Sequence, residues 1–388
     1  MLLLLGLVTL VALDAGGFGN RDTALLTLGT GAVLASASWL RASGVTRGFR
    51  SVPIALLFAL AGLGVLSLFW TTASFDDALA SAMLPAAYGA TALSVLALCA
   101  DPGARALIVP WIAGLSLVAA LSGLFGVLAQ DTPWATLISS RWRAAGFLEY
   151  PPALAFLLIA GLPSWALFAS RESGSRRVGA VAALAAVALC LGLTGSRLGL
   201  AFAGIILVLF LWNRRRSPAG WRPVAAGLLA VAAAIAGLVI LAGSAAGPGE
   251  GRQGVQGADH GRVALWQDSL PAIAEAPVLG HGAASYFEAT RADQEDPTLF
   301  AHNLPVESGV ELGVPGFVLA SVLLAACAGI CLLRRRTAAA WIYGPGVIAF
   351  VLFGLTDWIW HLAGTGAIWA VLLGALCGTR VPAAHPRR

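Results

Sequence analysis

Residues 259–316 read DHGRVALWQDSLPAIAEAPVLGHGAASYFEATRADQEDPTLFAHNLPVESGVELGVPG and form the one long polar segment of an otherwise apolar sequence. On both sides of it, the sequence predicts apolar helices joined by short connectors. Five side chains in the segment are candidates for chemistry: Arg262, His281, His302, Glu307 and Glu311. We therefore expect the chemistry of this protein to lie in the segment or directly against it.

The composition predicts an integral membrane protein. Of the 388 residues, 59% are hydrophobic and 11% are charged, whereas a soluble domain is about one quarter charged. The apolar runs approach the roughly 20 residues that cross a bilayer as a helix, and they lack the short alternating pattern of a membrane barrel. We predict an all-α polytopic fold in which residues 1–388 form a single membrane domain.

The apolar runs predict about twelve transmembrane helices. They lie at about 2–18, 23–40, 52–71, 79–100, 105–129, 152–170, 178–194, 198–212, 223–246, 309–333, 338–356 and 359–378.

Arginines in the short connectors predict the orientation. With twelve spans, four arginine-rich connectors and the C-terminal tail fall on one side, which the positive-inside rule places in the cytoplasm. The arginines of these connectors are Arg41, Arg47, Arg50, Arg171, Arg176, Arg177, Arg214, Arg215, Arg216, Arg222, Arg334, Arg335 and Arg336. Both termini are then cytoplasmic, and residues 248–308 form one large loop on the outer side.

A few arginines fall on the outer side, against that rule. Arg197 lies in LTGSRLGL, between two apolar runs with almost no loop. A charge at that depth costs a few kcal/mol and usually faces a cavity or a partner, although it can also extend to the headgroups. Arg143 lies in the outer segment 130–151, which we expect to be an interfacial, partly amphipathic piece; it either binds an anion or anchors the segment.

Two helices are predicted within the outer loop. Asp259 can cap a helix with an apolar stripe of Val263, Trp266, Leu270 and Ile273. Asn303 can cap a second helix that begins LPVESGVELG. In that helix Glu307 and Glu311 are four residues apart and share a face.

These residue types suit transfer from a lipid diphosphate to a hydroxyl. Two arginines make a clamp for diphosphate oxygens, and a histidine can take a proton from the attacking hydroxyl. The helix N-terminus after Asn303 adds a favourable dipole for an anion. The sequence has no acidic pair with a second ligand cluster, so we predict neither a metal nor another cofactor.

Four pieces of the sequence resemble the O-antigen ligase and O-antigen polymerase superfamily of bacterial membrane glycosyltransferases. They are RWRAAGFLEYPP at 141–152, TGSRLGL at 194–200, GRVALWQDSLPAIAEAPVLGHGAASYF at 261–287 and AHNLPVESGVELGVPG at 301–316. The positions that match the family pattern in the last two pieces are Arg262, Trp266, Gly280, Gly282, His302, Asn303, Glu311, Gly313 and Gly316.

The resemblance implies a GT-C-like enzyme of the bacterial inner membrane with its active site facing the periplasm. Members take a glycan from undecaprenyl diphosphate and pass it to lipid A–core, to another glycan or to protein, by a metal-independent and inverting reaction. Arg197 and Arg262 would hold the diphosphate, and His302 would activate or position the acceptor. The other substrate-binding candidates are Arg143, His281, Asn303, Glu307 and Glu311.

We favour a ligase that acts on lipid A–core, with membrane lipids as further partners and no nucleic acid. A polymerase with the same site and a glycan acceptor is the nearest alternative, because the two branches share their motifs. A twelve-helix secondary transporter is the alternative from another class. It predicts a repeat between the halves and broken helices at mid-membrane, whereas here the titratable residues lie in a late outer loop.

Overall fold

The computed structural model of the chain describes residues 1–49, 51–138, 141–212, 262–291 and 298–378. Its helices are α1 Leu2–Leu13, α2 Asn20–Phe49, α3 Val52–Ser67, α4 Phe75–Leu98, α5 Pro102–Ala106, α6 Ile108–Ala129, α7 Pro151–Arg171, α8 Gly174–Leu193, α9 Arg197–Trp212, α10 Arg262–Glu275, α11 Tyr286–Thr290, α12 Leu304–Leu333, α13 Ala338–Gly354 and α14 Ala363–Gly378. Two strands, β1 Ala135–Ile138 and β2 Arg141–Ala144, and two short 3-10 helices, Gly146–Leu148 and Ile359–His361, complete the described elements.

Long apolar helices dominate this fold, as the composition predicts. Five helical stretches in the described residues are long and apolar enough to cross a membrane: α4, the stretch Pro102–Ala129, α7, α8 and α12. Four shorter apolar helices are α1, α3, α13 and α14. The protein is therefore a helical, multi-pass membrane protein, and the count of twelve spans stays a prediction. The predicted span at 223–246 lies outside the described residues.

One continuous apolar core joins the helices. α4 packs against α2, α3 and α14, while α7 packs against α6, α8 and α13. Small residues let these helices approach closely: a Cβ added at Gly366 would lie 2.0 Å from the Tyr88 ring, and one added at Gly374 would lie 2.3 Å from the Ala92 carbonyl oxygen. Such contacts between small residues are a usual means of helix association in membranes.

The connectors at one end of the bundle meet each other. The backbone N–H of Ala363, at the start of α14, donates to the carbonyl of Gly17 after α1 at 3.0 Å. The N–H of Thr72 after α3 donates to the carbonyl of His281 in the polar segment at 3.2 Å. The connectors that the predicted topology puts on the outer side thus lie at a common end. Which face of the membrane this end occupies stays a prediction.

The segment 130–151 contains a β-hairpin, which we did not predict. β1 and β2 pair antiparallel, with Thr136 opposite Arg143 and Ile138 opposite Arg141. The N–H groups of Ala145 and Gly146 both donate to the Trp134 carbonyl, at 2.9 and 2.8 Å. Because a strand holds its side chains at fixed alternating directions, the hairpin gives Arg143 a defined position.

The predicted helix near the start of the polar segment is present as α10, but its buried face differs from the prediction. The buried residues are Leu265, Ser269 and Ala272, whereas Val263 and Leu270 are exposed. The stripe was wrong at Val263 and Leu270, because α10 packs against Tyr286, Ala301 and Val310 through Leu265 and Ala272. Trp266 and Ile273 of the predicted stripe are partly buried. The predicted cap, Asp259, lies outside the described residues.

Candidate active site at the connector end of the bundle

A buried carboxylate holds the arginine of the polar segment. Arg262, the first residue of α10, donates from Nη2 to Asp357 Oδ2 at 3.3 Å. Asp357 lies in the connector between α13 and α14, and its side chain is 1% exposed. The hydroxyl of Tyr150 and the N–H of Trp358 donate to its other oxygen, both at 2.8 Å. Arg262 is therefore fixed by a hydrogen-bonded carboxylate rather than left free in solvent.

Burial raises the pKa of Asp357 to about 6, and the Tyr150 hydrogen bond and the positive charge of Arg262 oppose that rise. Near neutral pH the group is therefore mostly ionised, as its three donors require. The same burial raises the pKa of the Tyr150 hydroxyl far above its usual range, so Tyr150 stays a hydrogen-bond donor.

His302 lies beside this ion pair in a strained backbone conformation. Its φ is +53°, a region that residues other than glycine seldom occupy and that functional sites often contain. Its Nδ1 atom is buried and makes no hydrogen bond within the described residues. Buried polar atoms are nearly always paired, so this ring nitrogen has capacity for one further hydrogen bond.

Burial lowers the pKa of His302 to about 4, and the nearby positive charge of Arg262 lowers it further, while Glu307 raises it. His302 is therefore neutral at ordinary pH. A neutral imidazole offers one donor and one acceptor, which suits hydrogen bonding to a hydroxyl.

The predicted cap of the second helix is confirmed. Asn303 accepts a hydrogen bond from the Val306 N–H at 3.0 Å, and its amide donates to the Leu355 carbonyl at 3.0 Å. The cap thereby fixes the start of α12 and ties it to the end of α13. Both polar ends of the Asn303 side chain are used in this way, and its contact with substrate stays a prediction.

Glu307 holds a second histidine in place. Its Oε1 is hydrogen-bonded to Nε2 of His361, and its Oε2 accepts from the Ala301 N–H at 2.9 Å. The ring of His361 stacks on Phe300, with centroids 4.1 Å apart and planes 20° apart. Phe300 in turn stacks on Trp358 at 5.4 Å. Position and orientation of the His361 ring are thus both constrained.

Glu307 and Glu311 share a face of α12, and this face points inward. Both glutamates are buried, at 4% and 8% exposure, and both line a small cavity together with Ser308, His361 and Ser81. The volume of about 30 Å³ is enough for one or two water molecules.

Glycines allow the turn at 280–282 to dock on α12. The N–H groups of His281 and Gly282 donate to the carbonyls of Val310 and Glu311, at 3.0 and 2.8 Å. The helix is interrupted just after them, at Gly313, where φ is +69°. A Cβ at Gly280 would lie 2.3 Å from the Glu311 carbonyl oxygen, so only glycine permits the approach.

His281 itself contributes a ring contact inside the fold. Its Nε2 lies 2.9 Å from the carbonyl oxygen of Ala272 in α10. This hydrogen bond joins the turn to α10. Its role toward a substrate stays a prediction.

A second group of positively charged side chains lies at the connector between α8 and α9. Arg197 is the first residue of α9 and is exposed. The Arg143 side chain packs on Gly195, where a Cβ would come within 3.1 Å of its Nε. Burial lowers the pKa of Arg143, and the charges of Arg197 and Arg141 lower it further. Within the described residues neither Arg143 nor Arg197 forms an ion pair with a carboxylate, so the two form a local excess of positive charge.

The structure thus separates the predicted residues into two groups. Arg262, His302, Asn303 and Glu307 lie together, whereas Arg143 and Arg197 lie beside the β-hairpin. The joint clamp of Arg197 and Arg262 stays a prediction.

Three residues of the first group were not predicted from the sequence: Tyr150, Asp357 and His361. The segment TDWIWH at 356–361 was divided between a connector and a span. An acid and a histidine between two apolar runs are a usable signal, because ionisable residues at membrane depth are seldom without a function. Tyr150 was assigned to the interface on its aromatic character alone.

A metal site needs several histidine, cysteine or carboxylate side chains at one point. The described part of the chain contains no such group of three or more.

Comparison with known proteins agrees with the motifs. No curated protein matches this chain. Residues 180–321 match the sequence family described as O-antigen ligase. The matched range includes Arg197, Arg262 and His302, and it ends within α12. This match supports the resemblance of residues 180–321 to the O-antigen ligase superfamily.

Proposed function

We propose that this protein is a membrane glycosyltransferase that moves a glycan from undecaprenyl diphosphate to an acceptor hydroxyl. We place the reaction at the periplasmic face of the inner membrane, with both termini in the cytoplasm and lipid A–core as the acceptor. The observation that carries the proposal is the buried, unpaired Nδ1 of His302 beside the fixed guanidinium of Arg262. The O-antigen ligase match over the same residues supports it.

The diphosphate of the donor is assigned to the arginines. The guanidinium is always charged and offers several donors to phosphate oxygens. Arg262 donates one hydrogen bond to Asp357, and its other N–H groups can bind the substrate. Arg143 and Arg197, which pair with no carboxylate of the described residues, supply a second cationic surface. In the reaction, the acceptor oxygen bonds to the anomeric carbon as the bond between this carbon and the diphosphate oxygen breaks. The configuration at the anomeric carbon inverts.

His302 is assigned to the acceptor hydroxyl. Its neutral ring can hydrogen-bond a sugar hydroxyl and align it with the anomeric carbon, and such alignment lowers the barrier of a bimolecular step. The unpaired Nδ1 of this buried ring is the atom that would make the contact.

The test is complementation of a strain that lacks the gene. The wild-type gene should restore glycan attachment, whereas Arg197→Ala, Arg262→Ala and His302→Ala should not, with each variant present in the membrane at the normal level. Losses of about 10²-fold or more are expected for groups that act directly on the reacting atoms. Full activity of His302→Ala would reject its role.

The glycan phenotype of the deletion strain separates the two branches. Long chains that accumulate on the lipid carrier indicate a lost ligase, and lipid A–core with a single repeat indicates a lost polymerase. Unchanged polysaccharides would reject both. The chemistry assigned here uses no metal, so EDTA should leave the transfer rate unchanged, and strong inhibition would contradict this part of the proposal.

A further inference from the structure

Glu307 and His361 form a carboxylate–imidazole pair with the arrangement of a general base. One oxygen of Glu307 is occupied by the Ala301 N–H, which leaves the other for Nε2 of His361. An ionised carboxylate accepts hydrogen bonds and cannot donate one. Nε2 therefore carries the proton in the neutral ring, and the lone pair that can accept a proton is on Nδ1.

Nδ1 of His361 is the accessible end of this pair. The side chain is 16% exposed. Within the described residues this nitrogen has no hydrogen-bond partner. It is also accessible to solvent, whereas Nδ1 of His302 is buried. The ring cannot rotate freely, because it stacks on Phe300 at 4.1 Å. An orienting carboxylate, a fixed ring and an open nitrogen are the features of an oriented histidine base.

His361 also lies close to the other assigned residues. Its partner Glu307 accepts a hydrogen bond from the N–H of Ala301, the residue directly before His302. His302 is a weak base held neutral by burial, and a second imidazole in the same group of residues is available for proton transfer.

We propose that His361 is a second catalytic histidine, which receives the proton of the acceptor hydroxyl on Nδ1 while His302 positions that hydroxyl. The inference rests on the proposed glycosyl transfer. As the acceptor oxygen bonds to the anomeric carbon, its proton passes to His361, and the electron pair of the broken bond leaves with the diphosphate. Glu307 is a positioning residue that stabilises the imidazolium through Nε2–H. The proton then leaves to solvent from Nδ1.

The test uses the full-length protein in nanodiscs. The donor is undecaprenyl-diphosphate-linked glycan from the deletion strain, and the acceptor is lipid A–core. His361→Gln keeps an amide that can donate to Glu307 but has no proton-accepting nitrogen. We expect kcat to fall by about 10²- to 10⁴-fold, with the KM for the donor within threefold of the wild type. Glu307→Gln should also lower kcat, by a smaller factor, with the donor KM unchanged.

Chemical rescue separates a base from a structural contact. His361→Ala leaves a space against Phe300, and added imidazole should restore part of kcat there but not in Arg197→Ala. A lack of rescue in folded His361→Ala, or transfer by His361→Gln within twofold of the wild type, would overturn the inference and leave the proposed function standing. A wild-type protein that transfers no glycan would overturn both.

A measurement on the wild type covers the case in which the variants do not fold. ¹⁵N chemical shifts of the imidazole identify the protonated nitrogen. A neutral His361 ring protonated at Nε2 supports the inference, and one protonated at Nδ1 overturns it.

Discussion

Arg262 and Asp357 are 95 positions apart in the chain, yet Nη2 of the first lies 3.3 Å from Oδ2 of the second. The contact joins the beginning of α10 to the connector between the last two helices. Tyr150 completes it from a third region of the chain. The candidate site therefore depends on segments that no local sequence motif brings together.

Asp357 and His302 should have opposite effects on the pH dependence of stability. Because the pKa of Asp357 is raised, its contribution to the free energy of unfolding is greatest at low pH and is lost as pH rises through about 6. Because the pKa of His302 is lowered, its contribution to the free energy of unfolding is fully present above about pH 6.5 and is lost as pH falls through about 4. Each effect is on the order of 3 kcal/mol, so in the wild type they largely cancel.

Single variants should reveal the two terms separately in thermal unfolding scans. Relative to the wild type, Asp357→Asn should gain stability as pH rises from about 4 to 6. His302→Gln should show the reverse trend over about 4 to 6.5. If the melting temperature changed with pH in the same way in all three proteins, the assigned burial of both groups would be contradicted.

Arg262→Lys should be a poor enzyme. A lysine can keep the ion pair with Asp357, but its single ammonium then has little left for a diphosphate, whereas the guanidinium has further donors in a fixed plane. We expect transfer to fall by at least about tenfold, measured as product formation in nanodiscs. Arg291→Lys is the matched control, since Arg291 lies 5.9 Å from the Phe287 ring centre; it should stay within twofold.

Arg143→Ala should weaken donor binding more than it slows the chemical step. Removing one of two neighbouring uncompensated charges should raise the KM for the donor by about tenfold, which corresponds to about 1.4 kcal/mol. The effect should shrink at high ionic strength. Arg141→Ala, on the same strand but exposed, is the control, and an equal effect of both variants would reject a specific role for Arg143.

Gly282→Ala should destabilise the docked turn. The φ of Gly282 is +98°, and a Cβ there would lie 2.2 Å from Thr71 Cα. Backbone strain and overlap together should lower the free energy of unfolding by more than about 2 kcal/mol. Gly114→Ala on α6 is the control, because open space surrounds that position. Thermal unfolding compares the two, and equal midpoints would contradict the close approach.

The sequence predicted those features that depend on local chemistry. Apolar runs gave the helices, and Asn303 gave the start of α12, because a cap is a contact between near neighbours. The spacing of four predicted that Glu307 and Glu311 share a face, whereas the inward direction of this face is known only from the structure. The hairpin that positions Arg143 was missed, because its strands are short and lack a clear alternation. Asp357 and His361 were missed because their partners are distant in sequence, and only packing of the helices brings them to Arg262 and Glu307.

The turn at 280–282 has a consequence for the order in which the protein is assembled. The turn docks on backbone groups of α12, beside the residues that follow α3. Arg262 pairs with Asp357, which follows α13 in the chain. During synthesis, the polar segment therefore emerges before α12 and before the connector that carries Asp357. The candidate site is completed last, when the final helices have formed, so a chain truncated before Asp357 would lack the carboxylate that holds Arg262.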